Sequence, residues 1–340
     1  MALVQVFAYR GKVLGLWSGR QEGGLPCYSP CRVNLRATTP ATLTAAATWT
    51  CFSPDGLSVD VEDYYHVEAF ADRIRPEDWI NYPSRVADNT RRVLDFFAEI
   101  GAKATFFVLG HVAEGFPTLV RDILAAGHEV GCHSSRHRRI TTLTPDQFRD
   151  DTRRALAAIQ DAGGREVLGY RAPTFSIVKQ SLWAIPILAE EGFLYDSSVY
   201  PVVHDKYGMP EAPRHVFRWE FEGGSLFEIP PLTVSLLGRT LPVGGGGYLR
   251  NLPIWYTRWA IRRIREHERR PVLVYLHPWE MDPLQPRLEG SWKSRLRHYR
   301  NLELMEERLR EVIQGGRFRP LKEVLQAHRD AGAIPSHRMT

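Results

Sequence analysis

The sequence predicts an α/β protein built on a mostly parallel sheet or barrel, and three observations carry that prediction. From about residue 55 onward, short apolar runs bounded by turn signals alternate with amphipathic segments, the pattern of successive β/α units. Several of the runs are apolar on both faces, as strands buried under helices on each side must be. The 340 residues, 44% hydrophobic and 24% charged, are enough to enclose one large core.

In chain order the strand candidates are GLSVDV, KATFFVLG, HEVGCHS, VLGYRA, FLYDSS, LFEIP and PVLVYLH. Helices are expected over about 84–100, 116–126, 145–162, 180–191, 253–268 and 299–314, several opened by Ser, Thr or Pro near the first turn. The GGGG run at 244–247 reads as a loop beside the functional site rather than a linker between domains. Residues 1–53 show no sustained period and are rich in Thr, Ala, Gly and Arg, so they are expected to be a poorly ordered leader.

The formal charge is +5 and the pI about 9.0, but Lys and Arg are interleaved with Asp and Glu along the helical segments, which argues against a nucleic-acid groove. Four unevenly spaced cysteines do not make a disulfide framework. No window approaches 18 consecutive apolar residues, so no membrane-spanning segment is expected. A cytoplasmic location fits these features; the uncharged run at 37–54 leaves export as the alternative. Oligomeric state is not readable.

Ionisable residues fall at the C-terminal ends of five strand candidates: Asp60, His133, Arg171, Asp196 and His277. In a parallel barrel those ends converge on one face, where chemistry is usually done. His133 and His137 lie four apart and would face the same way if a helical turn follows Gly131. Two imidazoles can hold a cation, which also needs a third ligand, often a carboxylate, and DVED at 60–63 offers candidates.

These stretches, SVDVEDYYHVEAF, HSSRH, YRAPTFS, YDSSVYP and YLHPWE, resemble the motifs of the NodB-type polysaccharide deacetylases, in particular the branch associated with exosortase exopolysaccharide loci. The resemblance runs from about Leu57 to Asp282 and implies a distorted (β/α)7 barrel that removes acetyl groups from N-acetylated sugars using a divalent metal. On it, residues 54–335 form the catalytic domain with a C-terminal helical extension. The metal is expected to be zinc, with cobalt, nickel or iron as alternatives.

Carried over to this chain, the resemblance makes His133 and His137 metal ligands, Asp60 the general base and His277 the general acid. Arg171 would orient and tune the base, and Asp196 would do the same for His277. The chain departs from the commonest first motif, in which two Asp are adjacent. Strand alternation puts Glu62 on the face of Asp60, whereas a turn at Val61 presents Asp63, preferred for its shorter side chain. The last motif reads HPWE rather than His-Asp. Tyr64, Tyr65 and Trp279 adjoin catalytic candidates and, with Pro173, Thr174 and Phe175, are expected to contact the sugar; amides of the 174–176 loop would stabilise an oxyanion.

The expected substrate is therefore an N-acetylated polysaccharide or oligosaccharide. A ring-opening hydrolase of cyclic amides, allantoinase-like on the same barrel, is the nearest alternative, separable by assaying acetate release against ring opening. A carbohydrate-binding relative without catalysis is the alternative from another class.

Overall fold

The run Asp55–Val61 is buried at all seven positions, as a strand covered on both sides must be. The computed structural model describes residues 8–9, 12–13, 53–204, 207–314, 316–332 and 334–339. The chain divides into two units, residues 1–46 and 47–340. In the first, β1 (Ala8–Tyr9) pairs antiparallel with β2 (Lys12–Val13). Apart from that hairpin, the expected leader lies outside the described residues up to residue 52.

In the second unit, β3 (Asp55–Val61), β4 (Thr105–Val108), β5 (Glu129–Cys132), β6 (Gly169–Tyr170) and β7 (Tyr195–Asp196) pair in parallel in chain order. The antiparallel pair β8 (Phe217–Phe221) and β9 (Gly224–Glu228) joins through β9, which runs parallel to β7. A hairpin of β10 (Thr233–Leu236) and β11 (Arg239–Pro242) follows, and β12 (Leu273–Leu276) pairs in parallel with β3 on its other side. Two short strands complete the sheet: β13 (Phe318–Arg319) beside the start of β3, and β14 (Ser336–Arg338) beside β8. The seven expected strands fall on β3, β4, β5, β6, β7, β9 and β12; β8, the β10–β11 hairpin, β13 and β14 were not expected.

The ring between β9 and β12 is completed without a regular strand. Val243 N donates to Leu232 O at 3.1 Å and Tyr275 N donates to Gly244 O at 2.9 Å, so residues 243–245 run beside β12. The glycine run permits this approach: a Cβ on Gly244 would strike the Leu273 carbonyl, and one on Gly245 the Tyr275 ring.

Helices cover the outside: α1 (Val86–Ile100), α2 (Gly110–Gly115), α3 (Pro117–Ala125), α4 (Pro145–Asp161) and α5 (Ala184–Glu190). They continue with α6 (Gly246–Asn251), α7 (Ile254–Arg263), α8 (Trp292–Tyr299), α9 (Met305–Ile313) and α10 (Leu321–Asp330). Helix α4 shows why a local signal works: Thr144 Oγ1 accepts from Gln147 N, the Gln147 side chain accepts from Thr144 N, and Pro145 fills the first turn. The helix expected over 299–314 is α9, which starts later than expected: Asn301 has φ 57° and a 3-10 turn at Leu302–Leu304 precedes it, while α8 lies almost wholly before the expected span. Side chains of β3, β4 and β5, among them Val59, Val61, Phe106, Val108 and Cys132, meet α1, α3 and α4 in the main core. No helix among the described residues is long and apolar enough to cross a membrane.

Because β3, β5, β6, β7 and β12 run in one direction, Asp60, His133, Arg171, Asp196 and His277 lie at or just beyond strand ends on the same rim.

Candidate metal and catalytic centre

Glu62, His133 and His137 come together at that rim. Among the described residues they are the one His/Cys/Asp/Glu group whose ligand atoms all lie within 4.8 Å of one another. His133 directly follows β5 and its Nδ1–H donates to Arg171 O at 2.8 Å, which leaves the Nε2 lone pair free. Burial pushes the His133 imidazole down to about 4, so it is neutral, as a ligand must be.

No helical turn brings His137 alongside. Ser134 (φ 66°) and His137 (φ 51°) are left-handed, and Ser134 Oγ accepts from His137 N at 3.1 Å, so a tight loop makes the convergence expected of a helix.

The carboxylate at the centre is Glu62, one position past β3 on the face of Asp60. Its Oε1 accepts from Trp279 Nε1 at 3.2 Å. Its Oε2 lies 2.8 Å from His137 Nε2 yet is buried without a hydrogen bond. Burial opposes ionisation of this carboxyl, but His137 and His277 outweigh it and hold it below the usual carboxylate range. A carboxylate oxygen left without a hydrogen bond beside two imidazoles is a donor set that a divalent cation fits, and one carboxylate with two imidazoles suits zinc.

Asp63, the preferred carboxylate ligand from sequence, is not in this cluster. Its Oδ2 accepts from Ser84 Oγ (2.6 Å), Arg85 N (2.9 Å) and Val86 N (3.2 Å), and its Oδ1 from Tyr64 N (3.1 Å). It caps the first turn of α1 from a distance. Strand β3 ends at Val61 and Glu62 N bonds back to Asp60 O at 3.0 Å, and it is Glu62, the residue strand alternation puts on the face of Asp60, whose carboxylate reaches the two histidines.

Asp60 and Arg171 form a buried pair, Arg171 Nη1 to Asp60 Oδ1 at 2.8 Å. Arg171 also donates to Ser58 Oγ, Ser197 O and Ser197 Oγ, and its guanidinium lies 4.4 Å from the Phe107 ring centre, so it is fixed on every side. Asp60 Oδ2 faces His277 Nε2 at 3.9 Å, and Glu62 Oε1 lies 3.5 Å from the same nitrogen.

The expected partner of His277, Asp196, is elsewhere. Its carboxylate accepts from Ser198 Oγ and N, and it sits opposite Glu228 in the β7–β9 register. Burial raises Asp196 to about 6, and burial with the neighbouring Asp196 charge holds Glu228 well above its ordinary range, so one proton stays in this pair. The group that meets His277 is Glu280, whose Oε2 accepts from His277 Nδ1 (3.1 Å) and N (3.0 Å) and whose Oε1 accepts from Arg250 Nε (3.0 Å). Glu280 had a readable signal: HPWE is a helix-start pattern, with Pro at the first position and Glu at the third. Arg250 had none.

The expected sugar-contacting aromatics are mostly core. Tyr64 and Tyr65 are buried with Phe70, Ile74, Trp79 and Trp279. Trp279 is instead the donor to Glu62, stacked between His277 and His298. Pro173 and Phe175 are buried; of the 173–175 turn only Thr174 is half-buried. The amides of Phe175 and Ser176 are turned to Ala172 O and Pro173 O rather than towards a ligand.

Residues 79–186 match the family model described as polysaccharide deacetylase, and residues 197–326 a second one described only as a domain of unknown function (DUF3473). Over 110 residues the chain is 34% identical to a peptidoglycan deacetylase of Helicobacter pylori, covering 32% of this chain and 36% of that one. The chain spans about a third of the length of the curated relatives it matches.

Two solved structures share the fold. A Mycobacterium smegmatis protein provisionally assigned as a polysaccharide deacetylase has a TM-score of 0.56 at 21% identity, covering 89% of this chain and 98% of its own. The Puue allantoinase has a TM-score of 0.54 at 14% identity, covering 86% and 98%. The family model and the curated relatives support the polysaccharide deacetylase family.

Proposed function

We propose that this chain is a metal-dependent hydrolase that removes N-acetyl groups from the amino sugars of a polysaccharide. The observation that carries the proposal is the Glu62, His133 and His137 donor set, with its orphaned Oε2, facing the Asp60–Arg171 pair and His277. Glu62, His133 and His137 would hold a divalent cation, zinc first and cobalt, nickel or iron otherwise, which would supply Lewis-acid chemistry for the hydrolysis.

The chain's own groups do the rest. Arg171 occupies Asp60 Oδ1, which leaves Oδ2 turned to the site to take the proton of the attacking water. The amine leaves only when protonated, and His277 Nε2, across from Asp60, donates that proton. Water and the acetamide thereby become acetate and a free amine. The motifs favour an exopolysaccharide as substrate, and the peptidoglycan and chitooligosaccharide named for relatives then serve as comparison substrates.

The test is acetate release from N-acetylated fragments of all three polymers, by protein stripped of metal and then reloaded with zinc. Reloading is expected to restore release, and Asp60→Asn to lower kcat by about 10²-fold to 10⁴-fold. Release that persists in the stripped protein, or full turnover by Asp60→Asn, overturns the reading.

A further inference from the structure

Residues 197–326, which match a family model described as a domain of unknown function, contain His277, Glu280 and Arg250. We infer that this region supplies the proton-donor arm of the site, in which Glu280, clamped by Arg250, is the positioning residue that keeps the hydrogen on His277 Nδ1 and so leaves Nε2 to deliver the mobile proton. The inference rests on the deacetylase reading and adds the residues that make its acid work.

A carboxylate can only accept, so the 3.1 Å contact with Glu280 Oε2 defines His277 Nδ1 as a donor. With Nδ1 occupied, Nε2 is the nitrogen left facing Asp60 and Glu62. When the C–N bond of the tetrahedral adduct breaks, the nitrogen takes the Nε2 proton. His277 is left as the neutral Nδ1–H form that Glu280 already holds.

Glu280 cannot drift. It is fully buried, and its second oxygen accepts from Arg250, itself 1% exposed, whose Nη1 donates to His298 O (3.1 Å) and Arg300 O (2.8 Å). Gly246, at the start of α6, abuts the carboxylate so closely that a Cβ there would overlap it. The ring is fixed as well: His277 stacks on Trp279 at 18° between planes, and Trp279 on His298 at 19°. A turn-capping role alone asks only for an acceptor at Glu280, which glutamine also provides. A buried arginine clamp asks for the charge.

The experiment compares two acetyl donors in zinc-loaded protein: an N-acetylglucosamine oligomer, whose amine must be protonated to leave, and 4-nitrophenyl acetate, whose phenolate leaves unaided. Glu280→Gln is expected to lower kcat on the acetamide by about 100-fold while KM and the ester rate stay within about threefold. Asp196→Asn is expected to keep the wild-type ratio of the two rates. Equal loss on both substrates by Glu280→Gln, or full acetamide turnover by it, overturns the inference alone. A wild-type protein that cleaves the ester but no acetamide overturns the deacetylase reading and this inference with it. Should Glu280→Gln fail to fold, nitrogen-15 NMR of histidine-labelled, metal-free wild type decides: neutral His277 is expected as the Nδ1–H form, and the Nε2–H form overturns the inference.

Discussion

Replacing Asp63 by alanine and, separately, Glu62 by glutamine distinguishes a helix cap from a metal ligand, because stability and metal affinity are expected to rank the two variants in opposite orders. Asp63 accepts four hydrogen bonds, two of them from amides at the start of α1. Losing a cap costs about 1 kcal/mol, and stranding buried donors such as Val86 N adds roughly 1–3 kcal/mol, so Asp63→Ala is expected to cost about 2–4 kcal/mol. For a domain of this size that lowers Tm by roughly 4–8 °C.

Glu62 has one oxygen on Trp279 and, against its burial, is held ionised by His137 and His277, so Glu62→Gln gives up part of that pairing, and the metal-free Tm is expected to fall, but by less than in Asp63→Ala. Metal affinity should rank the two variants the other way. Loss of a ligand is expected to exceed the roughly 100-fold loss typical of outer partners, whereas Asp63→Ala keeps wild-type zinc content at saturating metal. The assays are thermal unfolding of stripped protein followed by circular dichroism, and elemental analysis after dialysis against buffered zinc. Full zinc binding by Glu62→Gln, or its loss in a stable Asp63→Ala protein, refutes the assignment.

Two more predictions concern the acid arm. Burial would lower the His277 imidazole, but Glu62, Glu280 and Asp60 outweigh it and raise it to about 9, above the unfolded value near 6.5. That interaction therefore stabilises the fold fully below about pH 6.5 and is lost as pH rises to about 9. The metal-free Tm is expected to decline across that window, less so in His277→Gln, and identical slopes in the two proteins refute it. Gly246→Ala pushes into Glu280 and is expected to lower acetamide turnover at least about tenfold, whereas Gly247, with open space at its Cβ, accepts alanine; equal rates for both variants refute the packing argument.

The sequence carried the architecture where local physics decides it. β3, β4 and β5 are doubly buried, so their apolar runs are unmistakable, and Thr144, Pro145 and Gln147 mark α4 by capping chemistry. The β10–β11 hairpin is only partly buried along β11 and left no clean alternation. Of the candidate site, Asp60, His133, Arg171 and His277 could be picked out because each lies at or just beyond a strand end, and His137 because it follows His133 by four residues. The errors came from contacts between segments far apart in the chain. Asp63 was taken from the metal by Ser84 and the start of α1, and Asp196 was taken from His277 by Glu228, its neighbour across the sheet. Tyr64 and Tyr65 look exposed beside a catalytic motif until Phe70, Trp79 and Trp279 close over them.

The seam between β9 and β12 has a consequence for how the molecule fails under heat. Residues 243–245 meet β12 through an isolated bridge rather than a regular ladder, and the chain passes straight from them into Gly246 and Arg250. Loosening that one stave withdraws both supports of Glu280 while the ladders from β3 to β7 stay intact. Warming should therefore abolish the proposed acetate release at temperatures where the secondary structure is still whole.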